Sequence, residues 1–380
     1  MRPILILWNL STTRSFLLKA KTWYQLHMVL GIFGASFLLV LGVTGSLLVY
    51  GKELQAFTGL LSIEVKQERL PFDLLYKRLL EQVPEGSVAG WLVSDTQDQA
   101  DQVWFHNLEI PSKETVYLIN PYDGNITGRL KENRSDSLYG FLLVLHYSLF
   151  LGGVGYFFTG CIAVVYLFLA ISGIKLYKRF WISFLRLRLR ESMQILFSDL
   201  HKFVGINAVW FHLILAITGG WWSLRDTLIL SHPEEKVVHH LWSSEYSIHQ
   251  LLEETKKQIP GFRLGYISFP HHSKEEPIGF YGNRFDSSGL ESRYGSYVRY
   301  DVNSKQIFDQ VDMSKESLGN KVLDSFRPLH FGTFANHLSK MIWVVGGLTP
   351  AILAISGISI FYIKRKNRRR TQKKLLSSSV

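Results

Sequence analysis

The sequence predicts an α-helical membrane protein with four transmembrane helices in two parallel span–module–span repeats. Two outward-facing α+β modules complete the fold class. Three observations carry this prediction. Four apolar runs exceed the roughly 18 residues needed to cross a hydrocarbon core of about 30 Å. Basic residues are sorted by segment. The first half of the chain recurs in the second, with histidines at matched spacings.

The runs cover residues 28–50, 154–176, 204–222 and 341–363, and none holds Asp, Glu, Lys or Arg away from its ends. The hydrophobic share of 47% is ordinary for a soluble chain, so the order of residues, not their proportion, marks the spans. The first run is too long for a cleavable leader, and no small-residue cleavage site follows Tyr50. The apolar stretch 4–8 is too short to span and belongs to an amino-terminal arm, residues 1–22.

Net charge is +11, and its placement sets the topology. The arm, the 175–202 linker and the carboxy-terminal tail hold 19 Lys or Arg against two acids, Glu191 and Asp199. The polar loops 52–138 and 223–328 hold 22 bases against 29 acids. The positive-inside bias therefore puts both termini and the linker in the cytoplasm. The basic run 364–370 reads as an anchor for anionic lipid rather than a nucleic-acid patch.

The expected order follows. Transmembrane helix 1 takes residues 23–51 and the first outer module 52–137. An interfacial segment with helix 2 takes 138–178, and a basic linker 179–200. Helix 3 takes 201–225 and the second module 226–328. An interfacial segment with helix 4 takes 329–363, and a basic tail 364–380. Within the modules, helix-like stretches fall at 72–82 and 248–258. Strand-like stretches fall at 88–93, 103–106, 116–120 and 125–130, then at 264–269, 278–281, 297–301 and 306–309. Both halves start in the cytoplasm, so their pseudo-two-fold axis lies along the membrane normal.

The repeat is most informative at its histidines. His27 and His201 each precede a glycine by 4 residues (Gly31, Gly205) and a Thr-Gly by 17 (Thr44, Thr218). His146 and His330 each precede a Ser-Gly by 26 residues (Ser172, Ser356). The two-fold pairs His27 with His201 on the inner side and His146 with His330 on the outer side. A symmetric imidazole pair in a helix bundle suits a haem iron with two axial ligands, because neutral imidazole brings no buried charge. The iron of each haem would be the metal held by these histidines. Gly31 and Gly205 would leave room for the flat macrocycle, while Thr-Gly and Ser-Gly are explained by close helix packing. The single Cys161 and the lack of a C-x-x-C-H motif make any haem non-covalent. His212 and His337 are not duplicated and stand as second choices for an outer ligand. His239-His240 and His271-His272 are poor metal pairs, since adjacent strand residues face opposite ways.

These residues resemble the PepSY-associated transmembrane family over roughly residues 20–365. The matching signatures are Leu26-His27 with Gly31 and Leu41-Gly42-Val43-Thr44-Gly45, and Leu145-His146-Tyr147 with Gly152 and Gly155. Asp199-Leu200-His201-Lys202 with Gly205 follows, then Pro328-Leu329-His330-Phe331-Gly332-Thr333-Phe334. Asn336-His337 departs from the family's small or apolar residues. The resemblance implies two outer PepSY-type modules on a four-helix body in the inner membrane of a Gram-negative bacterium. It also implies similarity to ferric-siderophore reductases with two b-type haems.

The expected activity is a transmembrane electron conduit. A quinol or a cytoplasmic reductase would feed the inner haem. The outer haem would reduce a ferric siderophore and release its iron in the periplasm. Arg14, Lys19, Lys21 and Lys202 are candidate partners of inner propionates. Trp221, Trp222, Tyr147, Tyr156 and Phe331 line either a pocket or the interfacial aromatic belt. The alternatives are a siderophore permease or binding protein without redox chemistry, and a PepSY-type sensor or regulator. No hydrolase nucleophile, metalloprotease or phosphate-loop motif occurs, nor a nicotinamide or flavin fingerprint.

Overall fold

A computed structural model describes residues 20–57, 59–66, 68–83, 86–107, 114–130, 137–179, 182, 185, 187–188, 190–230, 246–270 and 276–377. The arm with Arg14 and Lys19, together with His232, His239, His240, His271 and His272, lies outside them.

Among the described residues, three helices are long and apolar enough to cross a bilayer: α1 (Ala20–Leu48), α5 (Gly152–Leu176) and α10 (Asn336–Ser377). The third apolar run is two helices, not the single expected one over 201–225. α6 (Met193–Asn207) and α7 (Val209–Leu230) meet at a 64° bend. The protein is thus a helical membrane protein with three candidate spans, or four if the bent pair crosses as one, plus a β-sheet region. No proline causes the bend. The Asn207 side-chain amide donates to Phe203 O at 2.8 Å, and Ala208 leaves helical geometry. Its N–H still bonds Val204 O at 3.0 Å, and His212 N–H bonds Ala208 O at 2.9 Å, so both backbone groups of Ala208 stay paired. α6 starts eight residues before the expected 201, and α10 carries helix through the basic tail to Ser377. That tail holds Lys, Arg, Gln and Leu without Gly or Pro, all good helix formers.

Two shorter helices precede long ones. α4 (Leu138–Ser148) is capped by Ser137, whose Oγ accepts the Gly140 N–H at 3.0 Å. It ends in a reversal in which Leu149 and Phe150 take φ of 52° and 61°, and α5 follows. α9 (Leu318–Phe331) is capped by Ser317 and stops at Gly332, where φ is 68°. A Cβ at that glycine would also strike the Trp343 ring at 2.5 Å, so no other residue fits this stop.

The two α+β modules are not separate sheets. Strands β1 (Gly86–Leu92), β2 (Asp101–Asn107), β3 (Glu114–Ile119) and β4 (Ile126–Leu130) form one half. Strands β5 (Phe262–Ser268), β6 (Ile278–Arg284), β7 (Ser296–Tyr300) and β8 (Ile307–Val311) form the other. They join in one antiparallel sheet of order β4-β3-β2-β1-β5-β6-β7-β8, through Gly90↔Ser268, Trp91↔Ile267 and Leu92↔Tyr266. A four-stranded sheet standing alone would expose an edge at β1 and another at β5, and pairing removes both. β1 and β5 even share a register shift, between Val88 and Gly90 and between Leu264 and Tyr266. Helices α3 (Phe72–Gln82) and α8 (Ile248–Gln258) cover the sheet and share one core with Trp91, Phe105, Ile267 and Phe280. Asp73 of α3 caps α8, accepting Ser247 Oγ–H at 2.7 Å and Ile248 N–H at 2.6 Å.

The chain divides into two compact units. One comprises residues up to 43, 161–217 and from 348 on; the other comprises 44–160 and 218–347 and holds the sheet.

Candidate functional site

Each unit contains one histidine pair. In the first, His27 on α1 and His201 on α6 have ring centres 6.3 Å apart and planes at 85°. His27 Nδ1 lies 2.7 Å from Ser172 Oγ on α5, and His201 Nδ1 lies 2.9 Å from Ser356 Oγ on α10. Ser172 donates to Leu169 O and Ser356 to Leu353 O, each at 3.2 Å. A hydroxyl whose proton is directed elsewhere offers only lone pairs, so it accepts the Nδ1–H. That tautomer leaves each Nε2 lone pair open for a metal. The residue after each serine is glycine. A Cβ at Gly173 would meet His27 Cε1 at 3.8 Å, and one at Gly357 would meet His201 Cε1 at 3.3 Å.

The second unit repeats the design. His146 on α4 and His330 on α9 have ring centres 6.3 Å apart and planes at 54°. Thr44 Oγ1 on α1 lies 3.0 Å from His146 Nδ1, and Thr218 Oγ1 on α7 lies 2.9 Å from His330 Nδ1. A Cβ at Gly45 would meet His146 Cε1 at 2.9 Å, and one at Gly219 would meet His330 Cε1 at 3.1 Å.

The four hydroxyl–glycine dipeptides therefore do more than let helices approach. The hydroxyl holds an imidazole by Nδ1, and the glycine clears space for the ring edge. Sequence reasoning assigned them to packing alone. The signal was present, since each recurs at a fixed distance from a repeated histidine. Gly31 and Gly205 behave in the opposite way. A Cβ there would make ordinary contact with Leu169 at 3.7 Å or Leu353 at 3.6 Å, so they pack against helices α5 and α10 instead of facing open space.

The spacing permits a test of fit. Two metal–imidazole bonds of about 2.0–2.1 Å, plus the offset of each nitrogen from its ring centre, sum to about 6 Å. Both pairs stand at 6.3 Å. Among the described residues, no group of three or more His, Cys, Asp or Glu side chains could hold a bare metal ion. A haem iron asks less of the protein, because the macrocycle fills four positions and two axial imidazoles complete the set.

The second-choice histidines lie elsewhere. His212 on α7 is buried with its Nε2 engaged by Thr349 Oγ1 at 2.8 Å, beside the Tyr166 ring at 5.4 Å. His337 on α10 stacks on Tyr50 at 6.1 Å. Among the described residues neither makes a ring pair with another histidine. His106 lies on β2 and His249 on α8. Of the expected cationic partners, Lys202 Nζ sits 5.9 Å from the Tyr177 ring centre. Lys175, absent from the expected set, sits 4.3 Å over Trp23. Of the aromatic set, Tyr147 stacks on Tyr156 at 5.1 Å, Trp221 packs edge-on to Phe326 at 6.2 Å, and Phe331 packs edge-on to His330 at 5.7 Å.

The family described as the PepSY-associated TM region matches residues 24–365, and the chain belongs to it. The chain is also similar to an uncharacterized protein of Pseudomonas aeruginosa, 22% identical over 265 residues. That match spans 62% of this chain and just under two thirds, 66%, of the relative's length.

Proposed function

We propose that the protein is a di-haem oxidoreductase of the bacterial inner membrane. In this reading it moves electrons across the bilayer to reduce ferric siderophore on the periplasmic side, releasing iron. The observation that supports it most is the pair of 6.3 Å imidazole separations, with every ring held at Nδ1 by a repeat-matched hydroxyl.

The bent pair counts as one span, giving four, and the two halves are parallel copies. Basic segments keep the termini and linker cytoplasmic and the sheet periplasmic. His27 and His201 then serve the cytoplasmic side, and His146 and His330 the periplasmic side. Haem at each site would supply a one-electron ferric–ferrous couple inside a low-dielectric membrane. The residues do the rest. Four neutral imidazoles present Nε2 without burying a charge. Ser172, Ser356, Thr44 and Thr218 fix ring orientation and tautomer, as hydrogen-bonded outer partners do at other metal sites. The ferric chelate is the substrate. Hard oxygen ligands grip ferric iron more strongly than ferrous, so its reduction loosens the cargo. A quinol or a cytoplasmic reductase supplies the electron, since the chain has no nicotinamide or flavin fingerprint.

A permease reading gains little from Ala208 at the bend, whose own N–H and C=O are both paired within the helices. The test is the absorption spectrum of purified protein. A Soret band and a dithionite-reducible α-band at two haems per chain are expected. Their absence removes the conduit. Chelate reduction in proteoliposomes then separates a reductase from a binding protein.

A further inference from the structure

The histidines of the His146/His330 site obey the repeat, but its surroundings do not. Three residues before His330, on the same face of α9, stands Arg327; the equivalent before His146 is Leu143. One turn after Thr218 stands Trp222; one turn after Thr44 stands Leu48. Both polar side chains therefore come from the second copy, where the first copy has apolar residues at the equivalent positions.

Among the described residues neither has a hydrogen-bonded or ion-paired partner. The Arg327 guanidinium lies 5.7 Å from the Trp222 ring centre, 4.8 Å from Tyr294 and 5.2 Å from Phe331. Among the described residues it makes no hydrogen bond or ion pair. Asp324, one turn earlier on α9, accepts the Ser292 N–H at 2.7 Å and feels the Arg327 charge without standing at ion-pair distance. Burial, with Arg225 and Arg293 nearby, holds the Arg327 pKa below the usual guanidinium range. The Trp222 Nε1–H is buried without a hydrogen-bond partner among the described residues. A buried indole donor left unpaired is costly, and with a guanidinium beside it that has no ion-pair partner it points to an anionic acceptor serving both.

A haem carries both its carboxylates on one edge. Two symmetric axial histidines leave the direction of that edge undecided, so asymmetric surroundings must decide it. We propose that Arg327 and the Trp222 indole N–H receive a propionate of the haem held between His146 and His330, fixing that edge against the second copy. The inference rests on the haem reading. The His27/His201 site has the same two parts in the other copy. Trp23, one turn before His27, has a buried Nε1–H without a partner, and Lys175 lies over its ring at 4.3 Å. Their counterparts are Phe197 and Ser359.

The experiment is a potentiometric titration of the full-length protein, paired with haem-to-protein ratio and haem loss to apomyoglobin. Wild type, Arg327→Gln, Arg327→Lys and Trp222→Phe are compared. Loss of a cation beside a propionate favours the ferric state. Arg327→Gln is expected to lower one of the two midpoints and to release that haem several-fold faster. The other midpoint stays in place, and Arg327→Lys restores the first because it keeps the charge. Trp222→Phe, which retains most of the ring, is expected to speed loss of the same haem even if Arg327→Gln fails to accumulate. Two haems whose midpoints and loss rates are unmoved in the variants that fold overturn the inference and leave the haem reading standing. Equal shifts of both midpoints also overturn it, since they report general disturbance. Wild type without a Soret band overturns both.

Discussion

The two histidine sites use the same three parts and distribute them differently. At the first, imidazoles sit on α1 and α6 and their hydroxyls on the returning helices α5 and α10. At the second, hydroxyls sit on α1 and α7 and the imidazoles on the short helices α4 and α9. α1 thus gives a histidine to one site and a hydroxyl to the other, 17 residues along. The fit differs as well. Ring edges stand 3.8 and 3.3 Å from the glycine Cβ positions at the first site, and 2.9 and 3.1 Å at the second. At the first site both imidazoles lie well inside their helices. The second depends on two short helices whose ends are set by Ser137 and Gly332, and it is the tighter of the two.

The largest expected effect tests whether there are two sites at all. His27→Ala or His201→Ala should remove one haem, and His146→Ala or His330→Ala the other, each halving the haem-to-protein ratio. His212→Ala and His337→Ala should leave the ratio unchanged. If His337→Ala halves it while His330→Ala does not, the second pair is wrongly drawn. Smaller effects are expected from the hydroxyls. Thr218→Val and Thr44→Val keep side-chain volume and remove the Nδ1 partner, which costs about 10–100-fold in affinity at comparable metal sites. Ser172→Ala and Ser356→Ala should cost less. Their histidines lie at least six residues from either end of their helices, which still aim the ring, whereas His146 sits two residues from the end of α4 and His330 one from the end of α9. Rates of haem transfer to apomyoglobin rank the four. Equal rates would mean that the position of a histidine along its helix does not matter to ring orientation.

Much of this comparison was legible in the sequence, for a physical reason. A duplicated chain places equivalent residues by symmetry, so spacing alone named the rings that the structure brings together. Period and turn residues also located α3, α8 and the strands of both halves. Other features leave no local trace. The β1–β5 junction joins segments more than 170 residues apart, and edge pairing requires no particular side chain. The bend at Ala208 has no proline or glycine at it and arises inside an uninterrupted apolar run. Arg327 escaped notice because it breaks the repeat, and the repeat was the signal being read. Lys175 escaped because it lies in a basic segment that topology already explains.

The glycines give the finest test of which site is tighter. At Gly45 an added methyl would stand 2.9 Å from His146 Cε1, closer than any real contact, so the ring must move. Gly45→Ala should cost about 1–3 kcal/mol, the usual penalty for an overfilled site. Gly219→Ala at 3.1 Å and Gly357→Ala at 3.3 Å should follow in that order, because a ring can yield a few tenths of an ångström. Gly173→Ala at 3.8 Å meets only ordinary contact and should be nearly silent. Gly31→Ala at 3.7 Å and Gly205→Ala at 3.6 Å have room too; replacing the mid-helix Gly31 should stabilise by up to about 1 kcal/mol, and Gly205, two residues from the end of α6, should gain less. Heating each variant while following its α-band gives the series. If Gly173→Ala proves as damaging as Gly45→Ala, then Cβ clearance does not govern these sites. The glycines would then serve helix approach alone, and the difference in tightness between the two sites would disappear.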